Sequence, residues 1–200
     1  MMQLNQSLER GVLPMPKYLV NVISREVAKP FVISNHYTKA FGKSSLILGL
    51  WDSTNLVGVI TFGQPSGRLV AASLGYTEKT CWEFLRMVVL DGCECPRTYF
   101  MSRAIKILRQ KFPQVKCLVT YADQTEGHDG TVYMAGSWEP VGLTAKKYHY
   151  IDMNGVRQNK RLCWDKSRLF GMSEQEMAIH LGLKKVMEEP KVKFIKRIRP

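Results

Sequence analysis

Ionisable and hydroxyl side chains crowd among glycines in the run Thr120-Tyr121-Ala122-Asp123-Gln124-Thr125-Glu126-Gly127-His128-Asp129-Gly130-Thr131. Carboxylates, an imidazole and hydroxyls this close together can accept, donate and relay protons. The apolar run Val115 to Val119 before them reads as a buried strand, and Thr131 to Trp138 begins a helical pattern. Asp123 to Gly130 is therefore a strand-to-helix connection. Ligands of open α/β sheets bind beyond the carboxyl ends of strands. The plain alternative is a polar turn whose Asp and Thr residues cap the next helix, and residue types alone leave both readings open.

Arg86 is unusual for its surroundings. Trp82 to Leu90 reads as a strand, and Arg86 is the one cation in it. Desolvating an unpaired guanidinium is prohibitive. Arg86 needs either a structural partner, with Glu83 and Asp91 nearest in sequence, or a pocket.

The elements that must position these residues follow from periodicity and punctuation. Val20 to Ile23 resembles a first strand. Ser24 can cap a helix over Arg25 to Lys29, with Pro30 where such a helix has trouble continuing. Phe31 to His36 runs into Tyr37-Thr38-Lys39 and then Phe41-Gly42-Lys43-Ser44-Ser45, a loop able to move over a site. Leu46 to Trp51 and Leu56 to Gly63 form a hairpin across Asp52-Ser53-Thr54-Asn55, and Gly58 and Gly63 predict a bulge or a close approach. Residues 68 to 80 are ambiguous. Met101, Ile105, Leu108 and Phe112 recur at helical spacing, so Thr98 to Phe112 is an amphipathic helix with Lys106, Arg109 and Lys111 on its solvated face. After the strand at 115 to 122, a short helix ends near Trp138, with Pro140 and Gly142 as stop signals. Tyr148 to Ile151 and Arg161 to Trp164 flank Asn154-Gly155, which predicts a basic hairpin. Ser173 and Glu176 form a capping-box pattern opening a helix over 173 to 187. Lys191 to Arg199 reads as a basic tail without fixed structure.

Composition narrows the partners. A chain of 200 residues with 45% hydrophobic content suits one domain with a proper core. Lys and Arg number 29 against 17 acids, a formal charge of +12, so the molecule attracts polyanions, nucleic acid first among them. Five cysteines with no repeated spacing point to a reducing compartment, and Cys93-x-Cys95 lacks the second pair that a structural zinc site needs. No window reaches the length of a membrane span. Glu9, Pro14 and Pro16 stand where a signal peptide would be apolar, so a soluble intracellular protein is expected.

The order hairpin, strand, helix, strand, helix, hairpin resembles the GNAT acyltransferase fold. The residues themselves resemble the Mom family of phage DNA-modification proteins. The resemblance rests on Asn35-His36-Tyr37-Thr38-Lys39, on Phe84-Leu85-Arg86-Met87-Val88-Val89, on Ser102, and on Tyr121-Ala122-Asp123 continuing through Gly127-His128-Asp129-Gly130-Thr131-Val132-Tyr133-Met134-Ala135 to Trp138. It implies an α/β (α+β) single domain with a central mixed, twisted sheet flanked by helices on both faces. An N-terminal arm over 1–19, a GNAT-like catalytic domain over 20–168, and a C-terminal helix and basic tail over 169–200 follow. The activity implied is conversion of adenine in duplex DNA to an N6-methylcarbamoyl (glycinamide-type) derivative that shields phage DNA from restriction enzymes, in the cytoplasm of the infected host cell.

That chemistry gives the residues roles. Adenine's exocyclic amine is a poor nucleophile, because its lone pair is delocalised into the ring. A base must take its proton while charge on the donor is stabilised. Asp123 is the expected base, Arg86 the expected holder of a donor carboxyl, phosphate or developing charge, and Tyr37 and Ser102 orient substrate. The resemblance also implies iron, with His36, Tyr37 and Asp123 as a nitrogen-and-oxygen set that His128 could join. A base inside a duplex cannot reach such a pocket, so the adenine is flipped, with Tyr37, Tyr121 or Tyr133 as stacking candidates and His128 beside them. Lys146, Lys147, Arg157, Lys160 and Arg161 are the expected duplex contacts. A homodimer is compatible with all of this.

The sequence departs from the GNAT pattern in one place. Asp91-Gly92-Cys93-Glu94-Cys95-Pro96-Arg97 stands where those enzymes carry a Gly-rich pyrophosphate loop, and its two acids and its proline make acyl-CoA doubtful and leave the donor unknown. Two other readings stay open: an acyl-CoA-dependent N-acyltransferase acting on a protein or small-molecule amine, and a non-catalytic DNA-binding module.

Overall fold

The computed structural model describes residues 17–158 and 160–198. In chain order it contains β1 (Tyr18–Val22), α1 (Arg25–Asn35), β2 (Leu46–Asp52), β3 (Asn55–Gly63), α2 (Val70–Ser73), β4 (Cys81–Val89), α3 (Arg97–Lys111) and β5 (Cys117–Ala122). A 3-10 turn (Gln124–Glu126), α4 (Thr131–Ala135), β6 (Glu139–Leu143), β7 (Lys147–Ile151), β8 (Arg157–Gln158), α5 (Lys160–Phe170), α6 (Glu174–His180), β9 (Lys184–Glu188) and β10 (Val192–Arg197) follow.

Seven strands form one mixed sheet in the order β1-β2-β3-β4-β5-β10-β6, and strand alternation sorts its side chains onto two helix-covered faces. Phe100, Met101, Ala104 and Leu108 of α3 bury against Leu48, Ile60, Phe62 and Phe84. On the other face Ala28 and Val32 of α1 cover Ile47, Val59 and Val88, and Ala71 of α2 covers Cys81, Cys117 and Val119. The expected α/β architecture with helices on both faces is therefore present. No helix among the described residues is long and apolar enough to cross a membrane.

Several local expectations need correction. Ser24 does cap α1, accepting from the Val27 amide at 3.4 Å, but the helix runs through Pro30 to Asn35. A mid-helix proline costs about 3 kcal/mol, and the burial of Ala28 and Val32 offsets it. Pro140 and Gly142 lie inside β6 instead of ending a helix. This strand pairs only with β10, so a residue without an amide is tolerated at the sheet edge. The Asn154-Gly155 turn forms as expected, with Asp152 Oδ1 accepting from the Asn154 and Val156 amides at 2.9 Å each. Its return strand is only Arg157–Gln158, however, and Arg161 to Trp164 belong to α5. The Ser173–Glu176 capping box is formed, but α6 stops at His180 and Gly182 turns the chain with φ +66°, after which β9 pairs with β7.

The largest correction concerns the end of the chain. Residues 192–197, expected as part of a tail, form β10 between β5 and β6. Phe194 and Ile195 are buried. The basic side chains beside them are engaged: Lys196 Nζ donates to the Gly136 carbonyl at 2.6 Å, and Arg197 pairs with Glu139. Residues 1–16 of the expected N-terminal arm, and Arg199, lie outside the described residues. β6 and β10 are antiparallel neighbours, and the chain between them holds β7, β8, α5, α6 and β9. This insertion has its own three-stranded sheet, ordered β8-β7-β9, and its own small core around Tyr150, Cys163 and Ala178.

Candidate functional site

A split in the main sheet makes the site. Parallel β4 and β5 pair only at Cys81–Cys117, Trp82–Leu118 and Glu83–Val119, although both strands continue. Backbone carbonyls beyond that point lose their partners and side chains replace them. Thr120 Oγ1 donates to the Phe84 carbonyl at 3.0 Å, and Arg86 Nη1 donates to the Leu85 carbonyl at 2.6 Å. On its other side β4 slips against β3: Thr61 faces Arg86 and Phe62 faces Phe84, which leaves Leu85 as an extra, bulged residue. Phe84 packs on the α3 side and Val88 on the α1 side, although residues four apart in a regular strand share a face. The bulge therefore turns Arg86 away from the α3 core and toward the end of α1.

A cavity of about 900 Å³ opens in this split. Its walls are His36 and Tyr37 after α1, Phe84 to Met87 of β4, Thr120 to Ala122 of β5, and Gly127 to Tyr133 between β5 and α4. Thr144, Lys147 and Lys191, at the two ends of the insertion, complete the wall. Gly130 has φ +85°, and a Cβ there would lie 2.4 Å from the Phe194 ring. Asp129 holds the same turn by accepting from the Thr131 amide at 2.9 Å, so for Asp129 the capping role is the correct one.

The cavity has an excess of positive charge. Arg86, Arg97, Lys147 and Lys191 line it. Of its acids, Asp129 is occupied by Thr131, and Glu83 accepts from the Ser66 amide at 2.9 Å and its hydroxyl at 3.2 Å. Arg86 pairs with neither Glu83 nor Asp91, and its buried Nε has no hydrogen-bond partner. Thr61, directly across from it on β3, also has an unpartnered buried hydroxyl. Buried polar atoms are seldom left unpaired, so Arg86 is not explained as part of a protein ion pair.

Asp123 is 5% exposed at the end of β5. Its Oδ2 is ion-paired with Lys191 and accepts from the Tyr37 hydroxyl at 3.4 Å, whereas Oδ1 has no partner. Burial pushes its pKa up, but Lys191, the Thr125 amide and the Tyr37 hydroxyl outweigh burial and hold it below the ordinary carboxylate value. Lys191 is the cavity residue paired with Asp123 that sequence reading missed. The only hint of it was a basic segment read as tail, whereas β10 delivers it to the cavity. Tyr37 stacks on His36, with centroids 4.4 Å apart, and lies 5.4 Å from the His128 ring. Burial, followed by the Asp123 charge, raises its pKa to about 12. His36 is pushed down to about 4 by burial and then by Arg86, His128 and Lys39, so it is neutral at neutral pH. Its Nδ1 accepts from the Thr38 amide at 3.1 Å, which leaves the ring proton on Nε2.

The remaining predicted residues separate. Ser102 is on the exposed face of α3, outside the cavity wall, because its neighbours Met101 and Ala104 take the buried positions. Tyr133 reaches the cavity with its hydroxyl, 3.3 Å from Thr120 Oγ1. Its ring packs against Phe84, Trp138 and Phe194. Tyr121 packs into the α2-side cluster. Tyr37, 40% exposed, also lines the cavity. Of the expected duplex contacts, Lys147 lines the cavity and Lys146 is exposed. Arg157 pairs with Glu188 at 2.6 Å, Lys160 sits 3.5 Å over the Tyr148 ring, and Arg161 pairs with Asp165 at 3.5 Å.

The residues of the expected iron set meet here: Tyr37 stacks on His36 and its hydroxyl donates to Asp123 Oδ2. As arranged, Thr38 bonds His36 Nδ1 and Lys191 pairs with Asp123 Oδ2, while Asp123 Oδ1 has no partner. No cluster of three His, Cys, Asp or Glu side chains among the described residues is placed to hold a metal ion.

The model of the Mom protein family matches residues 17–196. The chain belongs to this family. It is 30% identical over 155 residues to the methylcarbamoylase Mom of Escherichia phage Mu, an alignment covering 70% of this chain and 63% of that protein. This Mom family member therefore spans less than two thirds of that relative's length. Among solved structures it is similar to an IAA acetyltransferase from Bacillus cereus, with TM-score 0.52 and 7% identity, over 90% of this chain and 99% of that one. It is also similar to a ribosomal-protein-alanine N-acetyltransferase from Escherichia coli, with TM-score 0.52 and 7% identity, over 92% and 95%. At these identities the likeness is one of fold, and the fold is the GNAT-like one.

Proposed function

We propose that this protein transfers a methylcarbamoyl (glycinamide-type) group to the N6 amine of adenine in DNA and so protects that DNA from restriction endonucleases. The observation that carries the reading is the pair of unsatisfied buried groups at the split sheet, Arg86 Nε and Asp123 Oδ1, in a chain of the Mom family. The flipped adenine stacks on Tyr37 and presents its amine to Asp123 Oδ1. The N6 lone pair forms the new bond to the transferred carbon as the donor's leaving group departs with its electron pair, and the nitrogen becomes strongly acidic, so even a carboxylate kept ionised by Lys191 is basic enough to take its proton. Arg86 holds the negative charge that develops on the donor, or a donor carboxyl or phosphate, with a planar fork that is not spent on a protein carboxylate. No step is routed through iron.

The cations around the cavity favour an anionic donor. One observation keeps the acyl-CoA reading alive: no side chain caps the N-terminus of α3, and Arg97 at that end lines the cavity. A helix N-terminus with a nearby arginine suits a phosphate, although Pro96 removes one amide. Nucleoside mass spectrometry of plasmid DNA from cells making the protein tests the reading. A heavier deoxyadenosine should appear with the wild type and be absent with Asp123→Asn. Unmodified deoxyadenosine from cells that also supply the phage's accessory functions would contradict it.

A further inference from the structure

We infer that the insertion between β6 and β10, residues 145–190, is the docking surface for the duplex that flanks the target base. The inference rests on reading the cavity as a base pocket. Thr144, Lys147 and Lys191, at the two ends of the insertion, are cavity wall, so a strand whose base enters the cavity must run beside this unit. The insertion is tied to the catalytic loop as well. The Glu189 amide donates to Thr125 Oγ1 at 3.1 Å, the Thr144 amide to the Lys191 carbonyl at 2.9 Å, and the Lys191 amide to Thr144 Oγ1 at 2.9 Å.

The surface has the chemistry of a duplex contact. Lys160 and Lys185 place their ammonium groups 3.5 and 4.0 Å from the centre of one ring, Tyr148, the residue next to Lys147. Two cations at one ring concentrate positive potential on the insertion. Lys146, Arg168 and Lys184 are exposed and make no ion pair among the described residues. Arg168 lies 4.8 Å over the half-exposed Trp164 ring, and Leu169 and Phe170 beside it are 80% and 63% exposed. Exposed apolar side chains rimmed by arginine and lysine suit a groove and its phosphates, where apolar wedges and cations act together. A second copy of the chain fits less well, because a two-fold contact would set these cations against their own copies.

A second basic surface supplies the control. Lys106, Arg109 and Lys116 surround a groove of about 490 Å³ floored by Pro113, Val115 and Ile198 at the far end of α3. The test is fluorescence anisotropy of the full chain on a 20-base-pair duplex across a salt series. It compares the wild type, the triple variant Lys146→Gln, Arg168→Gln, Lys184→Gln, and the triple variant Lys106→Gln, Arg109→Gln, Lys116→Gln. The insertion variant should bind at least about 10-fold more weakly at low salt, with a salt slope lower by about one for each phosphate contact removed. The control should stay within about 2-fold. Wild-type affinity in the insertion variant, loss confined to the control, absence of duplex binding by the wild type, or a concentration-dependent dimer that the insertion substitutions break would each overturn the inference. Binding is read independently of modification. Normal DNA modification with unaltered binding in the insertion variant sinks this inference alone, while insertion-dependent binding without any modification sinks the functional reading alone.

Discussion

The protein carries two sets of cations that differ in how they are held. Arg86 and Lys191 sit in or beside the split sheet, Arg86 fixed by the Leu85 carbonyl and Lys191 by Asp123. Those of the insertion, such as Lys146, Arg168 and Lys184, stand out in solvent. A cation fixed in a dry pocket acts on one atom at one geometry, where low dielectric magnifies its effect. A cation in solvent contributes a small, screened and nearly interchangeable share of attraction. The first set should govern turnover and the second affinity.

The sharpest way to break this comparison is Arg86→Lys. Lysine keeps the charge but loses the planar fork, and DNA modification should fall by about 10²–10³-fold, the usual loss when one preorganised donor is removed. A kcat measured with saturating duplex checks this. Next comes Lys191→Met. In the wild type the ion pair lowers the Asp123 pKa, so its stabilisation is present above the unfolded carboxylate value of about 3.9 and is lost as pH falls through the lower folded value. Without Lys191 the main interaction opposing burial is gone, the Asp123 pKa rises, and the acid limb of the activity profile moves to higher pH. Leaving the carboxylate buried and unpaired should also cost about 3 kcal/mol near neutral pH, read by urea unfolding at pH 7. An unshifted limb would show that Lys191 does not control Asp123.

Gly130→Ala tests the frame between the two sets. The left-handed backbone costs a Cβ-bearing residue about 1–2 kcal/mol, and the new methyl must displace Phe194, so a loss of about 2–4 kcal/mol is expected by chemical denaturation. A loss under about 0.5 kcal/mol would mean that the turn before α4 is looser than described. The smallest effect belongs to the insertion. Lys184→Gln alone should weaken duplex binding by less than about 3-fold and lower the salt slope by about one. A change in kcat instead would erase the distinction between the two sets.

How much could be read from sequence follows a similar division. Elements fixed by near neighbours were legible: the β2–β3 hairpin, the stripe of α3, the β5-to-α4 connection and the Ser173 capping box. Arg86 was legible as an anomaly, because a guanidinium in an apolar strand demands a partner or a pocket; that neither Glu83 nor Asp91 pairs with it was not. The Leu85 bulge that aims it was not, since a bulge is defined by the partner strand. Nor was β10, whose strand character depends on Gly136, Glu139 and β5 satisfying its charges and edges from far along the chain. The same miss hid Lys191, and with it the reason Asp123 stays ionised. For Tyr133 composition does not show that its hydroxyl reaches the cavity while its ring packs with Phe84, Trp138 and Phe194.

The most direct test of catalysis at the split between β4 and β5 measures two quantities on one variant. For Arg86→Lys, the modified fraction of deoxyadenosine is determined by mass spectrometry and duplex affinity by anisotropy. Modification at or below about 1% of wild type, the loss expected for a single preorganised donor, with affinity within about 2-fold is the predicted result. Modification close to wild type would place the chemistry elsewhere in the molecule.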